Sequence, residues 1–139
     1  MNALLATLTT KVITMAKPRV FISFDYDHDL DIKTMLAGQA KLPDSPFDFT
    51  DASVKDHLTG DWKEKVKNRI RNCDQVCVLC GEYAATGINV ELKIAQELGK
   101  PYFLLAGRDK FSKPSAAMSG DKVYNWTWDN LKALVAGSR

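Results

Sequence analysis

Apolar residues occur along this chain in two rhythms, short unbroken runs and longer stretches where they return every three or four positions. Arg19-Val20-Phe21-Ile22-Ser23-Phe24, set between Pro18 and the acidic Asp25-Tyr26-Asp27, predicts a buried strand. Over residues 29–41, Leu30, Met35, Leu36 and Ala40 recur at helical spacing, with Asp29 and Asp31 near the favourable amino end. Pro43-Asp44-Ser45-Pro46 breaks that helix, Phe47-Asp48-Phe49-Thr50 alternates as a strand, and Asp51-Ala52-Ser53 leaves it. Gly60-Asp61 starts a second helix whose Trp62, Val66, Ile70 and Cys73 form one stripe. Residues 75–80 predict the central strand, 81–89 a loop, and 90–98 a helix stopped by Gly99-Lys100-Pro101. Tyr102-Phe103-Leu104-Leu105 is a further buried strand, and 107–120 a loop rich in Gly, Ser, Lys and Pro. Val123-Tyr124-Asn125-Trp126 predicts the last strand, and Thr127 or Asp129 opens a closing helix through Leu131, Leu134 and Val135.

Strands that are apolar throughout, alternating with helices, predict an α/β fold. The expectation is a flavodoxin-like three-layer sandwich, a parallel sheet of about five strands with helices on both faces. Ligands of such sheets bind beyond the carboxyl ends of the strands, which here are residues 24–27, 50–53, 80–89 and 106–110.

Composition narrows the classes. A chain of 139 residues fits one domain, placed at residues 18–139, with 1–17 as an N-terminal appendage. That appendage has no basic start or unbroken apolar stretch, so it reads neither as a secretory signal nor as a membrane span. It is expected to hold at most a short helix, and Met15 is a candidate alternative start. Nineteen Lys+Arg against 17 Asp+Glu leave +2, which argues for neither a nucleic-acid nor a membrane partner. The run Lys63, Lys65, Lys67, Arg69 and Arg71 reads as a solvated helix face, because no aromatic residues interleave it for base stacking. The 3 cysteines, Cys73, Cys77 and Cys80, are odd in number and crowded, which predicts core thiols in a cytoplasmic protein rather than disulfides. Cys77 and Cys80 spell C-x-x-C, but residues three apart on a strand face opposite ways, so no metal is expected there.

Standard catalytic fingerprints are missing. The sequence holds no G-x-x-x-x-G-K-[ST], no G-x-G-x-x-G after a strand, and no G-x-S-x-G. Asp25-Tyr26-Asp27-His28-Asp29 resembles a calcium loop, yet Leu30 and Leu36 occupy the positions that need Gly and Glu. The same D-x-D after a strand also suits aspartyl phosphoryl transfer, for which the chain has little room for a cap. Glu91 is expected in the first turn of the helix after the central strand, behind a loop containing Gly81 and Gly87. The plainer reading of that position is a carboxylate favoured by the helix dipole.

Taken together, several segments resemble TIR and TIR-like domains, in particular the bacterial branch that includes the TIR proteins of Thoeris antiphage systems. They are Val20-Phe21-Ile22-Ser23-Phe24 with its acidic turn, Asp61-Trp62 with the basic helix, and Val76-Cys77-Val78-Leu79-Cys80-Gly81. Gly87-Ile88-Asn89-Val90-Glu91-Leu92 and Pro101-Tyr102-Phe103-Leu104-Leu105 complete the set, over residues 18–108. The resemblance implies a flavodoxin-like domain that takes NAD⁺ as a substrate, with no cofactor, and breaks its nicotinamide–ribose bond. The products would be nicotinamide and ADP-ribose or a cyclic ADP-ribose signal. The position matching the family's essential Glu is Glu91. By position, Phe24, Asp25 and Tyr26 would line the pocket, Tyr26 as a stacking platform for a base. Asp51 and Ser53 would lie in the loop of substrate access and assembly, and Cys80, Gly81 and Asn89 would flank Glu91.

Where many TIR domains carry an aromatic residue shortly before that Glu, this chain has Thr86-Gly87-Ile88. Self-association through TIR-type contacts and a separate effector protein that senses the product are the implied partners. Two rival readings are a non-enzymatic TIR-like scaffold that assembles with a partner and a nucleoside-processing transferase.

Overall fold

A computed structural model describes residues 17–52, 61–83 and 85–138. The proposed appendage before Lys17 and the candidate Ser53 therefore lie outside the described residues.

Five strands form one parallel sheet among the described residues: β1 (Arg19–Ser23), β2 (Asp48–Ala52), β3 (Gln75–Cys80), β4 (Tyr102–Ala106) and β5 (Val123–Asn125). Their order is β2-β1-β3-β4-β5, the doubly wound arrangement expected from the sequence. Helices α1 (Leu30–Gln39), α2 (Trp62–Arg71), α3 (Thr86–Glu97) and α4 (Trp128–Val135) cover both faces. Successive strand residues point to opposite faces, so one run of apolar residues feeds two cores. Val20, Ile22, Cys77, Leu79, Phe103 and Leu105 face α1 and α4, meeting Ile32, Leu36, Leu131 and Leu134. Phe21, Val76, Val78, Cys80 and Leu104 face α2 and α3, meeting Val66, Ile70, Ile88 and Leu92. Each such fully buried aliphatic or aromatic side chain stabilises the fold by about 1.5–3 kcal/mol.

Helix α1 differs from its expected face. Leu30 and Met35 are exposed, and the buried stripe is Ile32, Leu36 and Ala40, one residue per turn at i, i+4 and i+8. Helix α2 follows the expected stripe, with Trp62 and Cys73 packed around Val66 and Ile70. Its basic face is solvated, and Lys65 lies 3.6 Å from Asp61 at its amino end. Thr127 caps α4, its side chain accepting from the Asn130 amide.

Helix α3 starts a turn earlier than the sequence predicted, at Thr86 rather than Val90. Gly87 falls in the first turn, where backbone amides need no intrahelical partner, so its helix penalty is small. Ile88 buries itself in the core beneath α3, and the Asn89 side chain donates to the Ala85 carbonyl at the cap. Tertiary burial thus recruits four residues that local composition assigns to a loop.

The connection from β4 to β5 has no crossover helix, and side chains pin it instead. Asn89 Oδ1 accepts from Ala116 N at 2.9 Å, and Gln96 Nε2 donates to Ala116 O at 2.9 Å. Tyr102 donates to Asp121 at 2.6 Å, while Ser112 N donates to Gly81 O at 2.8 Å. Among the described residues, no helix is long and apolar enough to cross a membrane.

Cys73, Cys77 and Cys80 are buried, Cys77 in one core and Cys73 and Cys80 in the other. Burial pushes the Cys73 thiol up, and burial together with the Asp29 charge pushes Cys80 up to about 12. The native protein at pH 8 should therefore leave all 3 thiols unreacted with a disulfide reagent, and denaturant should release all of them. A thiol that reacts at the free-cysteine rate in the native state would contradict this packing.

Candidate functional site

Chain direction across the sheet reverses between β1 and β3, and their carboxyl ends lie side by side, Ser23 in register with Val78. At this switch point the flanking loops diverge, leaving the edge where α/β proteins hold ligands. Three contacts between the β1–α1 and β3–α3 segments build it.

The first is Glu91. On α3 the residues Ile88, Glu91, Leu92 and Ala95 share the buried face, so a carboxylate occupies a core position with 0% exposure. The hydroxyl of Ser23, itself fully buried, donates to Glu91 Oε1 at 2.6 Å. Because α3 begins at Thr86, Glu91 lies in the second turn rather than the first, and no acidic residue occupies the first turn. The helix dipole, which falls off within one turn, is thus removed as the plain reason for this Glu. A carboxylate costs free energy to desolvate, so its place in an apolar layer calls for a reason other than stability.

The second contact is Asp29, at the cap of α1 and only 1% exposed. Arg108 Nε donates to its Oδ1 at 3.0 Å, and Arg108 Nη2 donates to Asp31 Oδ1 at 2.6 Å and to the His28 carbonyl at 3.0 Å. The other oxygen, Oδ2, has no hydrogen-bond partner among the described residues and points at Gly81, where a Cβ would lie 1.9 Å from it. Burial raises the Asp29 pKa, Arg108 opposes that rise, and the charges of Asp25 and Asp31 add to it. The Arg108 hydrogen bond holds the exposed Asp31 below the usual carboxylate range.

The third contact is aromatic. His28 stacks on Tyr83 with ring centroids 4.2 Å apart and an interplanar angle of 28°. His28 Nδ1 lies 2.7 Å from Asp25 Oδ2, and Asp25 Oδ1 accepts from the Asp27 amide.

The other expected site residues have the following places. Phe24 and Tyr26 pack together at 5.3 Å in the core under α1 and α4, the opposite face from Ser23 and Glu91. Asp25 is nearly buried at the ligand edge and holds His28. Asp51 lies within β2 rather than beyond it. Cys80 is a core residue that ends β3, and Gly81 provides the space for Asp29. Asn89 lies inside α3, not in the preceding loop, and its amide holds Ala85 and Ala116.

Three residues that sequence reasoning passed over take part here. Ser23 is the one polar residue inside an apolar strand run, a legible signal. Arg108 and Tyr83 sit in loops and gave none. A cleft of about 490 Å³ opens between Arg108, Phe111, Asn125 and Trp126 past β4 and β5. Another, of about 340 Å³, lies at the opposite edge around Lys100, Tyr102 and Asp121, and Glu91 lines neither cleft. Among the described residues no group of three or more His, Cys, Asp and Glu is placed to hold a metal ion.

Two variants test the Asp29 contacts. Gly81→Ala should destabilise the fold by about 1–3 kcal/mol, because the added methyl overlaps a carboxylate oxygen. Arg108→Gln should cost about 1–3 kcal/mol at pH 7, where Asp29 and Asp31 are ionised. Arg108 favours the ionised forms, so its contribution fades as acid protonates them, first at Asp29 with its raised pKa and last at Asp31 with its lowered one. Urea unfolding at pH 7 and at about pH 3 should show the gap between wild type and Arg108→Gln narrowing in acid. A gap that stays constant would remove the carboxylates as its cause.

Residues 21–106 match the family described as Thoeris protein ThsB, TIR-like domain. The match takes in the end of β1 from Phe21, all of β3, the Ser23–Glu91 pair and β4. No curated protein matches the chain. A match over more than half of the chain, on a five-stranded parallel sheet of the expected order, is sufficient for membership. The chain belongs to the TIR-like domain family of the Thoeris antiphage-defence protein ThsB.

Proposed function

We propose that this domain cleaves the nicotinamide–ribose bond of NAD⁺, with Glu91 as the carboxylate that meets the ribose. The observation that carries the reading is a fully buried Glu, hydrogen-bonded by Ser23, on a helix packed at the strand-order switch point. Nicotinamide is a cationic pyridinium while bonded to ribose and leaves as a neutral pyridine, taking the bonding electron pair. No general acid is needed, which fits a site with one carboxylate rather than a pair. Positive charge then builds on the anomeric carbon and ring oxygen, and a preorganised anion in a water-poor setting stabilises it. Ser23 fixes one carboxylate oxygen and with it the orientation of the group's charge. Addition of water through its oxygen, with loss of a proton, gives ADP-ribose. Attack by a nucleophile of the same molecule gives a cyclic signal instead, which a separate effector protein would read.

The scaffold reading rests on one observation. Glu91 has no exposure, so a substrate reaches it only when its cover shifts. Activation by self-association reconciles that closure with catalysis.

Mass spectrometry of NAD⁺ incubated with the domain, alone and in phage-infected lysate, tests the proposal. Glu91→Gln should lower nicotinamide release by at least about 10³-fold while keeping the fold. Ser23→Ala should lower kcat about tenfold with KM little changed, the effect of losing a hydrogen bond to a charged group. Equal turnover by wild type and Glu91→Gln would remove Glu91 from the chemistry. Absence of turnover in every condition, with the fold intact, would leave the scaffold reading.

A further inference from the structure

We infer that the stacked rings of His28 and Tyr83 form the subsite for the cationic nicotinamide ring, and that they select pyridinium over its neutral forms. This rests on the NAD⁺ reading above. The two chain segments that meet at Ser23 and Glu91 meet again at these rings, five residues after Ser23 and eight before Glu91. Both rings remain accessible, with 49% of the His28 side chain and 53% of Tyr83 exposed. Surface rings of this kind normally move, yet this pair is held from several directions. Asp25 fixes the imidazole at Nδ1, Arg108 holds the His28 carbonyl, and Asp29 keys into Gly81, two residues before Tyr83. On the far side Ser112 ties down the carbonyls of Gly81 and Glu82. Little entropy remains to be lost when a third ring stacks on them.

Charge decides which ring it takes. Asp25 Oδ2, 2.7 Å from His28 Nδ1, fixes the way the imidazole faces and sets a carboxylate beside the ring pair. Arg108 is engaged with Asp29 and Asp31, whereas no Lys or Arg among the described residues pairs with Asp25 or Asp27. Carboxylates therefore outnumber cations around the pair, and the face of Tyr83 attracts a cation. Oxidised nicotinamide in NAD⁺ is flat and positive. After cleavage the same ring is neutral, so the attraction falls as the product forms and release is favoured.

Proton NMR titration reads this without turnover. 1-Methylnicotinamide, a permanent pyridinium, should shift the His28 ring protons upfield and bind about tenfold more tightly than neutral nicotinamide. Tyr83→Ala should weaken that binding about tenfold, while Tyr83→Phe, which keeps the ring, should change it less than about twofold. In the Glu91→Gln background NAD⁺ should bind more tightly than NADH. No pyridinium binding by the wild type, equal binding of the two nicotinamides, or an unchanged affinity in Tyr83→Ala would each overturn the inference. Pyridinium binding lost in Tyr83→Ala by a protein that never cleaves NAD⁺ supports the ring subsite while defeating the catalytic proposal. Cleavage that needs Glu91 but keeps its KM in Tyr83→Ala does the reverse.

Discussion

A parallel sheet buried on both faces has no free surface for chemistry, and every functional side chain must be gathered at the ends of its strands or pushed in from a covering helix. In this domain both routes converge where β1 and β3 lie side by side and the winding changes direction. The hydrogen bond from Ser23 to Glu91 joins them: the strand contributes a hydroxyl from within its apolar run, and α3 contributes a carboxylate from within its apolar face. The remaining contacts join the same two chain segments beyond the strand ends.

Those contacts set a buried carboxylate, Asp29, among partners that keep substantial exposure. Arg108 reaches from the end of β4 to hold Asp29, Asp31 and the His28 carbonyl, so one side chain joins two loops that are distant in sequence. Asp29 fits against Gly81 with no room for a methyl group. A clamp of this kind stores free energy in a buried charge and an unmatched oxygen, and the apolar layers on either side supply the excess stability to hold it.

Much of this was legible in the residues. The continuous apolar runs predicted the parallel sheet, because only strands covered on both faces can be apolar at every position. Glu91 was marked by the resemblance to TIR-like domains, whereas Ser23, the polar interruption of a strand, was a signal passed over. The start of α3 was not legible: Gly87 signals a loop locally, and only burial of Ile88 and the bonds of Asn89 extend the helix across it. That shift of one turn changes what Glu91 means, since it takes the carboxylate out of reach of the helix dipole. The buried face of α1 was misjudged for a related reason, as Leu30 and Met35 are apolar but lie off the stripe that the sheet covers.

The sequence by itself determined the fold class and the family, because both depend on residue types at short, regular spacings. Only the tertiary structure decided which loop residues meet beyond the ends of β1 and β3. Tyr83, His28, Arg108 and Gly81 come from three separate loops, and loops have no periodicity from which a partner can be read. Their pairing is set by the order of strands in the sheet and by the distance between two strand ends, quantities that exist only after the chain has folded.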